Sequence, residues 1–109
     1  IMATETVDIS RALLPYAKSK TETNANENYT LNFTLDSMLT IPFESLAYIA
    51  DGNGAARGVK TALNVDANSS ASVDLTGNSV STAGEYTYYI AVENNGKVII
   101  KQPFTLTVK

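Results

Sequence analysis

The side chains that most often carry catalysis are missing from this chain. It has no His and no Cys, and no Trp. Without His it lacks the usual proton shuttle near neutral pH. Without Cys it has neither a thiolate nucleophile nor a disulfide frame. Ser and Thr are abundant, but no Gly-x-Ser-x-Gly elbow activates one of them. Carboxylates remain, and Asp66 with Asp74 or Glu85 with Glu93 are the pairs to consider. Their spacing suits strand ends and solvated faces better than a convergent acid–base pair. The chain is therefore expected not to be an enzyme.

Metal and anion chemistry fare no better. The run Asp51-Gly52-Asn53-Gly54 invites a calcium loop, which needs oxygen ligands at fixed offsets and a closing Glu. Ala55, Ala56 and Ala62 stand where ligands would be wanted, so the run is expected to be a turn. Asn94-Asn95-Gly96 reads the same way. Arg57 follows the first turn as a lone cation, too little for a phosphate site. No metal or cofactor is expected.

What remains is contact chemistry. Residues 4–20 join Val7, Ile9, Leu13, Leu14 and Tyr16 to a polar stretch, TETNANE. Two readings stand for this segment. It is the first strand of its own sandwich, or an arm that completes the sheet of a neighbouring subunit. The turns offer Asn53, Arg57, Asn94 and Asn95 as further candidate contacts. The polar side of residues 28–34 offers a platform for protein or sugar, and Tyr89, the one Tyr of its strand expected to face outward, is the candidate stacking aromatic. Three Asn-x-Ser/Thr triplets, at Asn28, Asn32 and Asn68, are about what chance gives in a chain so rich in these residues.

These residues must sit on strands. Tyr29, Leu31, Phe33 and Leu35 alternate with Asn28, Thr30, Asn32 and Thr34, the pattern of a strand with one buried and one wet face. Residues 59–65, 70–75 and 85–93 alternate likewise, and the last strand carries Val98, Ile100, Phe104, Leu106 and Val108. Residues 12–14 suggest a helical turn stopped by Pro15, residues 21–27 a polar loop, and residues 39–43 an edge or crossover around Pro42. Turn signals every 8–12 residues and no amphipathic helix between strands predict an all-β, Ig-like antiparallel sandwich of about seven strands. The expected core is Val7, Ile9, Tyr29, Leu31, Phe33, Leu35, Leu63, Val65, Val73, Leu75, Tyr86, Tyr88, Ile90, Val92, Phe104, Leu106 and Val108. Residues 1–28 form the arm or first strand and residues 29–109 the sandwich, within one domain.

Bulk numbers agree with this. A chain of 109 residues suits one core, and 44% hydrophobic content is too apolar for disorder. A net charge of −3 with no basic cluster disfavours nucleic acid. No apolar run reaches the roughly 18 residues of a membrane helix. IMATETVDIS has no basic region followed by an apolar stretch, so no signal peptide is expected.

The entry STAGEYTYY resembles the tyrosine corner of immunoglobulin-type domains, with Thr82, Gly84, Tyr86 and Tyr88 at the matching places. The Asp, Cys and core Trp of antibody domains are absent. More broadly, residues 29–108, with YTLNFTLD, YIADGNG, AGEYTYYI and NNGKVIIKQPFTLTV, resemble the N-terminal sandwich of phage upper baseplate proteins and related decoration and head-fibre modules. That resemblance implies a structural virion protein that docks onto other subunits, as a homo-oligomer or within a larger assembly. The alternative is an extracellular adhesion or carbohydrate-binding module at a cell surface, with a glycan as partner.

Overall fold

The structure is a computed structural model that describes residues 12–109. Val7 and Ile9 lie outside the described residues. Among the described residues eight strands follow one another: β1 (Leu13–Tyr16), β2 (Lys20–Thr23), β3 (Tyr29–Ser37), β4 (Phe43–Ala50), β5 (Thr61–Val65), β6 (Ser70–Gly77), β7 (Gly84–Asn94) and β8 (Lys97–Val108). They form two sheets, a three-stranded β1-β3-β6 and a five-stranded β2-β8-β7-β4-β5. All pairs are antiparallel except β2 with β8, which run parallel. This is an Ig-like β-sandwich. Its strands form because inward apolar residues alternate with polar ones, so two wet-backed sheets bury a common core.

The alternation holds best in β3, where Tyr29, Leu31, Phe33, Leu35 and Ser37 are all buried. With Leu75, Tyr88, Ile90, Val92, Phe104 and Leu106 they fill the space between the sheets. Phe43, Ala47, Ile49 and Ile100 join this core without having been expected there. Val73 and Tyr86 are only half-buried against it.

The N-terminal segment departs most from expectation. Residues 13–16 form a strand rather than a helical turn. Pro15 is tolerated because β1 is an edge strand, where a missing N–H disturbs no central ladder. Leu13, assigned from sequence to partner contact, is 2% exposed and belongs to the core. It lands there because the β1–β3 register sets it opposite buried Ser37. The chain then crosses to the other sheet, and Lys20–Thr23 becomes a strand instead of a loop. KTET has no apolar alternation to announce this. Its pairing comes from the free edge of β8, continued by bonds from Thr105 N to Ser19 O (2.8 Å) and Lys109 N to Thr23 O (3.0 Å). One short segment thus pins both sheets.

The run Leu39–Phe43 does mark a crossover, from β3 in one sheet to β4 in the other. Asp51-Gly52-Asn53-Gly54 opens a ten-residue connection rather than a tight hairpin. Asp51 Oδ1 accepts bonds from the backbone N–H of Asn53 (2.9 Å) and Ala55 (3.1 Å), and Gly54 supplies φ +85°. Val59, expected on a strand, is exposed in this connection. The loop is clamped from both sides, by Arg57 N to Ile49 O (2.6 Å) and Asn78 N to Arg57 O (2.7 Å).

The tyrosine corner is formed. Tyr86 Oη donates to Thr82 O at 2.7 Å, tying the start of β7 to the corner before it.

Candidate functional site

The two outer faces of the sandwich differ in chemistry. On the five-stranded sheet, the register aligns Ala62, Leu46, Glu93 and Val98 in one row and Tyr48, Ala91 and Lys101 in the next. Tyr48, Ala50 and Ala91 form a small second cluster on this outer side, each buried. Alternation in β7, with Ile90 and Val92 in the core, would turn Ala91 to solvent. It does point outward, but the neighbouring Tyr48 on β4 covers it. Lys60 lies over the Tyr48 ring at 4.6 Å and bridges to Glu93 at 3.1 Å. Lys101 lies over the Tyr89 ring at 4.4 Å. Long cationic side chains therefore roof an aromatic surface, their stems covering apolar area while their charges stay wet.

Toward one end of the sandwich this face meets exposed apolar side chains. Met38 and Ile41 of the β3–β4 connection are 58% and 65% exposed. Leu46 on β4 and Val98 just after the β7–β8 turn are exposed toward the same end, whereas Leu14 on β1, also toward this end, faces out of the three-stranded sheet. Ala12, where the described chain begins, is there too, its carbonyl accepting from Met38 N at 2.8 Å.

The three-stranded face is polar. Its outward residues form cross-strand pairs: Asn32 Nδ2 donates to Asp74 Oδ1 (3.0 Å), Thr34 and Ser72 share a hydrogen bond (2.6 Å), and Ser70 Oγ donates to Asp36. Tyr16 stands beside this array, opposite Thr34 in the register and about half exposed.

The sequence-derived candidates do not converge on one spot. Leu14 and Tyr16 point outward from β1, whereas Leu13 is core. Asn53 is an exposed turn residue at the opposite end from Met38. Arg57 is structural: its guanidinium donates to Ser79 O (3.3 Å) and sits 5.9 Å from the Tyr88 ring. Asn94 Nδ2 donates to Glu44 O (2.8 Å), pinning the β7–β8 turn, and Asn95 takes φ +52° within it. Tyr89 is half-buried under Lys101 and lies on the other sheet from the Asn/Thr platform. The aromatic beside that platform is Tyr16. Sequence reasoning missed Met38, Ile41 and Leu46, because exposure in loops and on outer faces has no periodic signal.

Among the described residues no group of three or more His, Cys, Asp or Glu is placed to hold a metal ion. Two buried polar atoms have no partner among the described residues: the Tyr29 hydroxyl, 6% exposed as a residue, and Nε of nearby Arg57. For the Tyr29 hydroxyl the surroundings bear on ionisation. Burial, reinforced by Tyr88 and opposed by Arg57, raises its pKa well above the usual tyrosine range.

No protein-family model and no curated protein matches the chain. The fold recurs among solved structures. The Pseudomonas fluorescens alkylpurine DNA glycosylase AlkC, bound to DNA containing an abasic site analog, matches with a TM-score of 0.57 and 16% identity over 87% of this chain. The chain spans only 30% of that enzyme's length. The CARDB domain of a Pyrococcus furiosus protein, in complex with di-metal ions, matches with a TM-score of 0.59 and 11% identity, over 90% of this chain and 86% of that one. CARDB is a domain of Ig-like type, and at these identities the likeness concerns the fold.

Proposed function

We propose that this chain is a non-catalytic docking module that acts through protein–protein contacts, and that its partners are structural subunits of a bacteriophage particle, further copies of itself included. One observation carries the docking reading: Met38, Ile41, Leu46 and Val98 are left exposed toward a single end of the sandwich. Exposed apolar side chains scattered singly need no explanation, whereas gathered ones mark contact surfaces. The Tyr48–Tyr89 face roofed by lysines extends that surface, and aromatic residues are favoured in interface cores. The virion assignment rests on the resemblance of residues 29–108 to baseplate and decoration sandwiches.

Sedimentation of the full chain at several concentrations tests the docking role. A defined oligomer that Ile41→Glu and Leu46→Glu disperse, with an unchanged circular dichroism spectrum, supports it. A monomer at all concentrations that also binds no co-expressed product of adjacent genes refutes it. Terminase, portal or tail genes beside this one support the virion assignment, and their absence speaks for the cell-surface alternative.

A further inference from the structure

The three-stranded face carries a feature the docking role does not use. β1 ends at Tyr16, and the chain leaves for the other sheet before β3 has run half its length. A recess of about 580 Å3 opens where β1 stops, with Thr30, Asn32 and Thr34 of β3 on one side and Tyr16 and Lys18 on the other. Asp74 of β6 lies on its rim. A second recess of about 400 Å3 adjoins it through Thr21 and Thr30 and continues toward Asn24 and Lys109. Together they make an open trough along the seam between the sheets, of the size range in which small ligands bind (roughly 300–1,000 Å3).

From this arrangement we infer that the trough binds a neutral oligosaccharide, with Tyr16 as the stacking platform and Asn32, Thr34 and Asp74 as hydroxyl partners. A sugar ring presents C–H groups on its faces and hydroxyls, each both donor and acceptor, around its rim. Tyr16 offers an exposed ring for the first. The Asn32–Asp74 pair answers the second. With one Asn32 N–H given to Asp74 Oδ1, the pair retains a fixed N–H donor, the Asn32 carbonyl oxygen and the second Asp74 oxygen. That is a preorganised mixture of donor and acceptors on adjacent strands, which a pair of neighbouring hydroxyls can satisfy. Asp74, Glu22 and Glu27 outnumber Lys18 and Lys109 along the trough, which disfavours phosphate or acidic polymers. The length of the trough favours a chain of sugars over a single ring. This role is separate from docking, since the trough shares no side chain with Met38, Ile41, Leu46 and Val98.

The test uses the full chain. An array of neutral oligosaccharides identifies the best hexasaccharide among gluco-, manno-, xylo- and N-acetylglucosamine series, and amide NMR follows its titration. The expected result is shifts at Thr30, Asn32, Thr34 and Asp74, with affinity falling roughly tenfold in Tyr16→Ala. Tyr16→Phe should bind nearly as well as the parent, because the ring is kept. Tyr89→Ala should bind unchanged. Tyr16 is half exposed, so its variants are expected to keep the parent circular dichroism spectrum, and Asp74→Asn serves as a second weakening variant. No binding across the array at millimolar concentration overturns the inference. So do shifts that map elsewhere, an affinity indifferent to Tyr16→Ala, or occupation of the trough by extended peptides but by no saccharide.

Discussion

Two tyrosine hydroxyls in this domain work in opposite directions. Tyr86 Oη has a good acceptor in Thr82 O at 2.7 Å, at the edge of solvent. Tyr29 Oη is buried with no partner among the described residues. A typical net hydrogen bond contributes about 1 kcal/mol, while an unsatisfied buried group costs about 1–3 kcal/mol. Tyr86→Phe should therefore destabilise by about 1 kcal/mol, and Tyr29→Phe should stabilise by about the same. Denaturant titration separates the two signs. The Tyr29 effect should also depend on pH. In the unfolded chain its hydroxyl ionises near the ordinary tyrosine value of about 10. In the fold, burial holds it protonated well beyond that. Above pH 10 the unfolded state then binds fewer protons, so stability falls as pH rises through that window and is flat below it. The advantage of Tyr29→Phe over the parent should be larger at pH 10.5 than at pH 8. Equal differences at both values would show that Tyr29 ionises as readily in the fold as out of it.

At the level of elements, the connection between β4 and β5 behaves as a strap. Its backbone is bonded to Ile49 on one side and Asn78 on the other. Gly58 lies so close to β6 that an added Cβ would collide with the Thr76 carbonyl. A backbone atom cannot swing aside as a side chain can, so Gly58→Ala must shift the strap or the strand. Overpacking of this kind costs about 1–3 kcal/mol. The loss is expected as a lower denaturant midpoint with an unchanged slope, whereas Gly52→Ala, with open space around it, should change little. Elements also differ in how far their sequences announce them. β3 and β7 were legible because alternation of large apolar and small polar residues leaves one register that buries the former. The corner was legible because Gly84-x-Tyr86 fixes a turn and its tether. β2 was not, since KTET becomes a strand only through the edge β8 offers. The strap was not, because its contacts to Ile49 and Asn78 join residues far apart in sequence. The platform beside Tyr16 was half legible: alternation showed that Asn32 and Thr34 face water, but only the β1–β3 register brings an aromatic next to them. Alternation likewise sent Tyr89 outward without saying from which sheet.

For the molecule as a whole, the sandwich separates two surfaces. Its dimensions are 55 × 30 × 20 Å, and the seam trough and the Leu46 row have no side chain in common. Substitutions at sites this separate normally act additively. Tyr16→Ala should then leave self-association untouched, and Leu46→Glu should leave affinity for a short soluble hexasaccharide untouched. On an immobilised polysaccharide the two should nevertheless interact. An oligomer joined through its apolar ends presents several troughs at once, and linked binding raises apparent affinity by 10²–10⁴ without any new contact. The parent chain should dissociate from such a surface far more slowly than Leu46→Glu, with the gap closing when the parent is diluted below its association midpoint. Identical dissociation of parent and Leu46→Glu, measured where the parent is oligomeric, would mean that the troughs in the assembly cannot reach one polymer together. A slower parent would identify the fold as a bridge, with one surface building the assembly and the other holding it to a glycan.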